Sequence, residues 1–236
     1  MGAALVFGAS GSIGRAICLH FQERGDIVIG AGRSESPAQL KEFPWAQWCE
    51  DPQLFSKRLE KSLAGAKLDA VVWAQGINFN DEIGTFDLAQ HQKMYEANVT
   101  FILSTLQLLL NEGLLSKKAK LCVISSIWQN IARQNKLSYC ITKSALQGLI
   151  QSLSIDLGKS GILINAVLPG ALDTEMTRAN LSTAQINQLE VATPLQSLPN
   201  LTDVTGLVSY LCSASNTGIT GQFIAADRGF SNARIL

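Results

Sequence analysis

Histidine is close to absent from this sequence: His20 and His91 are its two copies, and neither has a neighbour at metal-ligand spacing, so no metal site is expected. Cysteine is sparse and unpatterned. Cys18, Cys49, Cys122, Cys140 and Cys212 are odd in number and never form Cys-x-x-Cys, which excludes a disulfide framework and points to reduced, mostly buried thiols in a cytoplasmic protein. There is no charge excess: 19 Lys and Arg balance 19 Asp and Glu, leaving no electrostatic footprint for nucleic acid or a membrane surface. No basic-then-apolar leader opens the chain, and Met1-Gly2 is followed by Val6 where a myristoylation motif wants Ser or Thr. The longest apolar stretch, 101–115, is interrupted by Ser104, Gln107, Asn111 and Glu112, and is too short and too polar to span a bilayer. Internal repeats, low-complexity tracts and linkers are also missing.

What is present is core-forming material. Over 236 residues the hydrophobic fraction is 47% and the charged fraction 16%, enough to bury a large core in one domain. Short apolar runs at 3–7, 27–31, 46–49, 68–74, 120–125, 162–168 and 223–226 read as strands. Between them, helical periodicity appears at 12–25, 53–63, 91–110, 139–158 and 204–212. Alternation of this kind predicts an α/β fold: one doubly wound parallel sheet of about seven strands, with helices on both faces and right-handed crossovers, over residues 1–236. The polar stretch at about 174–198 is too long for an ordinary connection and is expected to be a substrate-binding loop.

Three segments carry chemistry. The first is Gly8-Ala-Ser-Gly-Ser-Ile-Gly14, between the first strand and the first helix. Gly8 lets the chain turn off the strand, Gly14 permits close helix–strand packing, and the N–H groups between them face an anion at a helix N-terminus. Strand, glycine-rich turn, helix and strand make a β-α-β unit of the Rossmann type with a built-in phosphate site. The second is Gly30-Ala-Gly-Arg-Ser34, which ends the second strand. An NAD site usually places an acid there for the ribose 2′-hydroxyl. Here Gly32 stands in its place, and Arg33 follows as a guanidinium suited to a 2′-phosphate. That favours NADP(H), with NAD(H) as the alternative. The third is 125–143, with Ser126, Tyr139 and Lys143; Tyr139 and Lys143 are 143 − 139 = 4 apart, one face of a helix. The expectation is that the Lys143 ammonium lowers the Tyr139 pKa, so that the phenol can exchange a proton with a substrate oxygen.

With these segments in this order, the chain resembles the short-chain dehydrogenase/reductase family over nearly its whole length. The glycine motif resembles the family's, Tyr-Glu-Ala-Asn98-Val its helix with an active-site asparagine, and Ser126 with Tyr139-x-x-x-Lys143 its catalytic segments. The segment from Asn165 through Pro169-Gly170 to Thr174 resembles the one that cradles the nicotinamide, and Thr-Gly221-Gln with Asp227-Arg-Gly229 its closing strand and turn. The resemblance implies hydride transfer at a carbonyl or alcohol carbon, with Tyr139 as general acid or base. Lys143 would tune Tyr139 and hold the ribose, Ser126 would orient the substrate oxygen, and Asn98 would complete a proton relay. It also implies cofactor contacts at Gly8, Ser10, Ser12, Ile13, Gly14, Arg33, Ser34, Ala74, Gly76, Pro169, Gly170, Leu172 and Thr174, and a homotetramer or homodimer packed through the helices at 91–110 and 139–158.

Four departures stand out. Phe7 replaces the family's usual threonine, and Ser12 takes its middle glycine position. Trp73-Ala74-Gln75-Gly76 replaces Asn-Asn-Ala-Gly, losing an asparagine that braces the sheet, and Asp227-Arg228-Gly229 replaces Asp-Gly-Gly. The acid expected after the third strand is either Glu50 or Asp51. For the substrate, specificity should lie in 127–137 and 175–198. The second of these offers Met176, Arg178, Leu181 and Leu189 but no aromatic residue, which argues against a steroid or large aromatic ligand. Arg133, Lys136 and Arg178 are candidates for meeting an anionic substrate. A 3-oxoacyl thioester, carried on acyl carrier protein, is the default that the resemblance implies. A small polar or cyclic alcohol such as a sugar is the alternative, and a non-catalytic NADP-binding scaffold the third reading.

Overall fold

The computed structural model describes residues 2–33, 36, 43–49, 51–174, 177–178 and 181–233. Its strands are β1 (Ala3–Phe7), β2 (Ile27–Gly32), β3 (Trp45–Gln47), β4 (Leu68–Trp73), β5 (Leu115–Ile124), β6 (Leu163–Pro169) and β7 (Phe223–Ala226). They form one seven-stranded sheet in the order β3-β2-β1-β4-β5-β6-β7, and every pairing is parallel. The helices are α1 (Ser12–Glu23), α2 (Pro52–Leu63), α3 (Leu88–Tyr95), α4 (Phe101–Asn111), α5 (Leu137–Gly158), α6 (Thr183–Val191) and α7 (Leu201–Leu211).

Strand β1 shows why the sheet is coated on both sides. Its five residues are all buried, and they alternate: Ala3, Leu5 and Phe7 join one core, Ala4 and Val6 the other. The first core is sealed by α2, α4 and α5 through Phe55, Leu59, Leu106 and Ile150; the second by α1 and α7 through Ile17, Phe21, Val204 and Val208. Between β1 and β4 the strand order reverses direction. That switch point opens a crevice at the carboxyl ends of the strands, the place where ligands bind in sheets of this kind.

The differences from the sequence reading are local. Strand β5 begins at Leu115 rather than 120, and β3 covers Trp45–Gln47. The helix expected over 91–110 is broken by a π-helical turn at Glu96–Thr100, centred on Asn98. The expected loop at 174–198 carries α6, opened by a reciprocal capping box between Ser182 and Gln185. No helix among the described residues is long and apolar enough to cross a membrane.

Candidate active site

The catalytic residues expected from the sequence converge at the carboxyl ends of β4 and β5. Ser126 lies two residues past β5 and accepts from Trp128 N at 3.3 Å, capping the short turn Ile127–Gln129. Tyr139 and Lys143 lie one turn apart near the start of α5, with the Lys143 Nζ 5.6 Å from the Tyr139 ring centroid. Lys143 is buried and donates to the Ile124 carbonyl at 3.0 Å. Asn98 reaches across from the π-turn. Its Oδ1 accepts from Ile77 N at 2.8 Å, and its Nδ2 donates to Ile77 O at 3.0 Å and Thr142 Oγ1 at 3.1 Å. Gly76 is needed at this junction: a Cβ there would lie 3.1 Å from Asn98 Oδ1 and 3.9 Å from Lys143 Nζ.

The α5 N-terminus is held from 57 residues away in the chain. Lys136, its capping position, makes no side-chain cap. Instead Asp81 accepts from Ser138 N at 3.0 Å and from the Ser138 hydroxyl, which also meets His91 Nδ1 at 2.8 Å. Tyr139 follows directly on this anchored residue.

The electrostatics correct one expectation. The Tyr139 phenol is not made acidic by Lys143. Burial pushes it up to about 12; the Ser126 hydroxyl pulls against this, and the neighbouring Cys140 adds to the rise. Burial also pushes the Lys143 amine down, to about 8. Desolvation is the leading cause of both shifts. At neutral pH the arrangement is a protonated phenol beside a charged amine, the state of a general acid.

The residues of the glycine motif fit a dinucleotide. Gly8 has a φ of +73°, and a Cβ there would lie 2.6 Å from Gln75 N. A Cβ on Gly14 would lie 2.2 Å from Gly8 O. Helix α1 starts at Gly11 with no side-chain cap, and Ser10 and Ser12 are exposed beside its open N–H groups, with Ile13 partly buried below. Across the crevice, the buried Gln75 carboxamide has no hydrogen-bond partner on either polar atom among the described residues, a demand that a polar ligand could meet. Ala74 packs into the α1/α7 core just before it.

On the far side, Gly170 allows close contact: a Cβ there would lie 3.0 Å from Asp227 Cβ and 3.2 Å from Pro199. Pro169 ends β6, and Leu172 turns its side chain into the core. Thr174 Oγ1 accepts from Thr177 N at 3.2 Å, so its hydroxyl caps the turn that follows. Arg33 is described at the end of β2, its carbonyl accepting from Gln47 Nε2 at 3.1 Å. Ser34, Glu50, Glu175 and Met176 lie outside the described residues. Of the two acids weighed after β3, Asp51 is used as the N-cap of α2, accepting from Gln53 N and Leu54 N.

The sequence reading missed several neighbours of the site. Thr142, inside the Tyr-x-x-x-Lys segment, receives the Asn98 amide. Trp128, two residues past Ser126, joins Phe230, Leu189 and Leu198 around a small cavity of about 10 Å³. Aromatic residues therefore flank this cavity, supplied by segments other than 175–198. Of the three candidate cations, Arg178 is paired with Asp173 at 2.6 Å and Lys136 donates to Asn78 Oδ1 at 2.9 Å. Arg133 lies over the Trp128 ring, 5.7 Å from its centroid.

Comparison with known proteins places these features. A family described as enoyl-(acyl carrier protein) reductase matches residues 52–231. The 3-oxoacyl-[acyl-carrier-protein] reductase FabG of Escherichia coli is 27% identical over 234 residues, covering 96% of each chain. The L-rhamnose 1-dehydrogenase (NADP(+)) of Thermoplasma acidophilum is 28% identical over 240 residues, covering 96% of this chain and 94% of that one. The solved structure of the aldohexose dehydrogenase of the same organism superimposes with a TM-score of 0.88 at 22% identity, covering 100% of this chain and 96% of that one. The chain belongs to the short-chain dehydrogenase/reductase family, NAD(P)-dependent oxidoreductases acting on CH–OH and C=O groups.

Proposed function

We propose that this chain is an NADP(H)-dependent reductase that converts a ketone to a secondary alcohol, with a 3-oxoacyl thioester as its substrate. The observation that carries the reading is the gathering of Tyr139 and Lys143 on one helix face near Ser126, with Lys143 and Asn98 buried behind. When bound, the dinucleotide would supply the hydride for the carbonyl carbon. Ser126 holds the carbonyl oxygen, and Tyr139 gives it a proton as charge develops there. The route back to solvent, by which Tyr139 regains its proton, runs past Lys143 and the π-turn that carries Asn98.

Two features support the finer assignments. Gly32 and Arg33 at the end of β2 offer a cation and no carboxylate to the adenosine ribose, which suits a 2′-phosphate. Trp128, Leu189, Leu198 and Phe230 give the substrate side an apolar wall, which suits an acyl chain better than a polyol. Retention of Asn98, Ser126, Tyr139 and Lys143 together speaks against a non-catalytic scaffold. The protein is read as cytoplasmic and as a homotetramer or homodimer. Leu103, Leu110, Ile141 and Ile155 on α4 and α5 are 41–77% exposed, an apolar surface for a second copy to cover.

The test is turnover. Carbonyl substrates, 3-oxoacyl thioesters and keto sugars among them, are offered with NADPH or NADH and the loss of cofactor absorbance is followed. Preference for the thioester with NADPH is expected. Preference for a sugar would overturn the substrate, and tight NADP binding without any turnover would favour the scaffold. Arg33→Asp should raise the Michaelis constant for NADPH; an unchanged value would overturn the NADP assignment.

A further inference from the structure

We infer that Trp45 is a specificity-determining residue for the cofactor: its indole fills the space that an acidic side chain at position 32 would need, and so reserves the end of β2 for a phosphorylated ribose. The inference rests on the NADP(H) reading above and adds a cause for it.

Strands β2 and β3 pair in register, Gly30 opposite Trp45 and Gly32 opposite Gln47. Two glycines in one strand weaken it, and such glycines often mark a close approach by another group. Here the group is the Trp45 ring. A Cβ at Gly30 would lie 2.7 Å from Trp45 Cε3 and 2.8 Å from Cζ3. A Cβ at Gly32 would lie 2.9 Å from Cζ2 and 3.2 Å from Cη2. The six-membered ring thus lies along the strand and covers both positions at contact distance. The same point above Gly32 is 3.9 Å from Ser10 Oγ, in the glycine-rich turn. A carboxylate built at 32 would start at the mouth of the phosphate cradle, where an NAD-type acid acts, and the indole bars that start.

Gln47, the next residue of β3 on the same side, holds the backbone of Arg33 beside this wall. Its Nε2 donates to the Arg33 carbonyl at 3.1 Å, and its own carbonyl accepts from Arg58 Nη1 at 2.9 Å. Strand β3 therefore acts twice on the cofactor end of β2: Trp45 excludes an acid at 32, and Gln47 holds the backbone of Arg33. Replacing Gly32 by an acid would not by itself convert the site, because the acid and the indole compete for one volume.

A double-mutant cycle tests this. Melting midpoints without cofactor are measured for the wild type, Gly32→Ala, Trp45→Ala and the pair. Binding of NADP+ and NAD+ is measured by calorimetry for the wild type, Trp45→Ala, Gly32→Asp and Gly32→Asp with Trp45→Ala. Gly32→Ala should lower the midpoint when Trp45 is present and leave it nearly unchanged when Trp45 is Ala. Gly32→Asp with Trp45→Ala should bind NAD+ about tenfold more tightly than Trp45→Ala alone, the gain from one charge-assisted hydrogen bond. Gly32→Asp alone should show no such gain. Equal midpoint losses in both backgrounds, or a full NAD+ gain from Gly32→Asp alone, would overturn the inference. Should Gly32→Asp not fold, the alanine cycle still decides. If the wild type binds NAD+ as tightly as NADP+, the cofactor reading fails, whereas the midpoint cycle reports the Gly32–Trp45 contact whichever dinucleotide binds.

Discussion

The ring of Phe7 stacks on the indole of Trp73, with centroids 5.9 Å apart and planes 13° from parallel. Phe7 also meets Phe101 edge-on at 5.4 Å. The Trp73 Nε1 donates to Thr105 Oγ1 at 2.8 Å, and that hydroxyl donates to the Phe101 carbonyl at 2.7 Å. These two residues are the family departures on adjacent strands, and they compensate each other. The polar brace expected after β4 is replaced by aromatic stacking at the switch point, with one hydrogen bond reaching to α4.

Restoring the family residue at one position should therefore harm the protein. Trp73→Asn would leave a large cavity and a polar side chain among Phe7, Phe101 and Thr105, at a cost of about 3–5 kcal/mol. Chemical denaturation measures it. Phe7→Thr with Trp73→Asn should cost less than the two single losses added together, because the two side chains share one contact. Strict additivity would contradict the pairing.

The titration of the site gives a prediction with a sign. Lys143 carries its charge below about 8 and loses it as pH rises through that value, while Tyr139 keeps its proton up to about 12. Ketone reduction needs the protonated phenol and gains from the ammonium behind it. Its kcat should be steady near neutrality and fall as pH passes about 8. Tyr139→Phe should lower kcat by about 10²- to 10⁴-fold at every pH, the contribution expected of a general acid. A reduction rate that rises from pH 7 to 9 would contradict the role given to the Lys143 ammonium.

The fold was legible because its signals are local. Alternating short apolar runs and helical patterns give the strand and helix order, and the glycine turn places the first β-α-β unit. The clustering of the candidate residues was legible because Tyr139 and Lys143 share one helix face and Ser126 ends one strand. What escaped depends on contacts between distant segments. Nothing near Asp81 announces that it anchors α5 through Ser138. Phe230 reaches Trp128 across 102 residues, 230 − 128, so the aromatic wall is invisible in either segment alone. The Tyr139 pKa was misjudged for a related reason: spacing reveals the neighbouring amine, whereas burial, the larger effect, belongs to the whole fold.

Arg228 stands where the family has glycine and adopts a left-handed backbone, with a φ of 54°. Its strain is offset by partners: Nε donates to Asp203 Oδ2 at 2.9 Å and Nη1 to Ser197 Oγ at 2.6 Å. Arg228→Ala keeps the strain and loses both contacts. Arg228→Gly loses the contacts but relieves the backbone. The glycine variant should be the more stable of the two by about 1 kcal/mol. Melting curves of the pair check this, and an alanine variant as stable as the glycine one would mean that the left-handed backbone carries no strain.

Asn98 couples the helix break to the segment after β4. The π-turn closes with the Phe101 N–H bonded to Glu96 O, one residue wider than an α-helical turn. That extra residue aims the Asn98 amide at both polar groups of Ile77, the residue after Gly76. Asn98→Ala would leave the Ile77 N–H and carbonyl unpaired, at about 1–3 kcal/mol of stability for each group that stays buried. It would also release the Gly76–Ile77 segment, where a Cβ on Gly76 would lie 3.9 Å from Lys143 Nζ, and a shift of about 1 Å at a catalytic group costs about 10²-fold in rate. The expected outcome is a folded, less stable enzyme whose kcat is about 10²-fold lower, with the Michaelis constant for the cofactor little changed. Asn98→Asp keeps the acceptor for Ile77 N but cannot donate to Ile77 O or Thr142, so it should recover stability less than fully and activity hardly at all. If Asn98→Ala loses stability yet keeps its kcat, the amide is a brace for the helix break and has no part in the reaction.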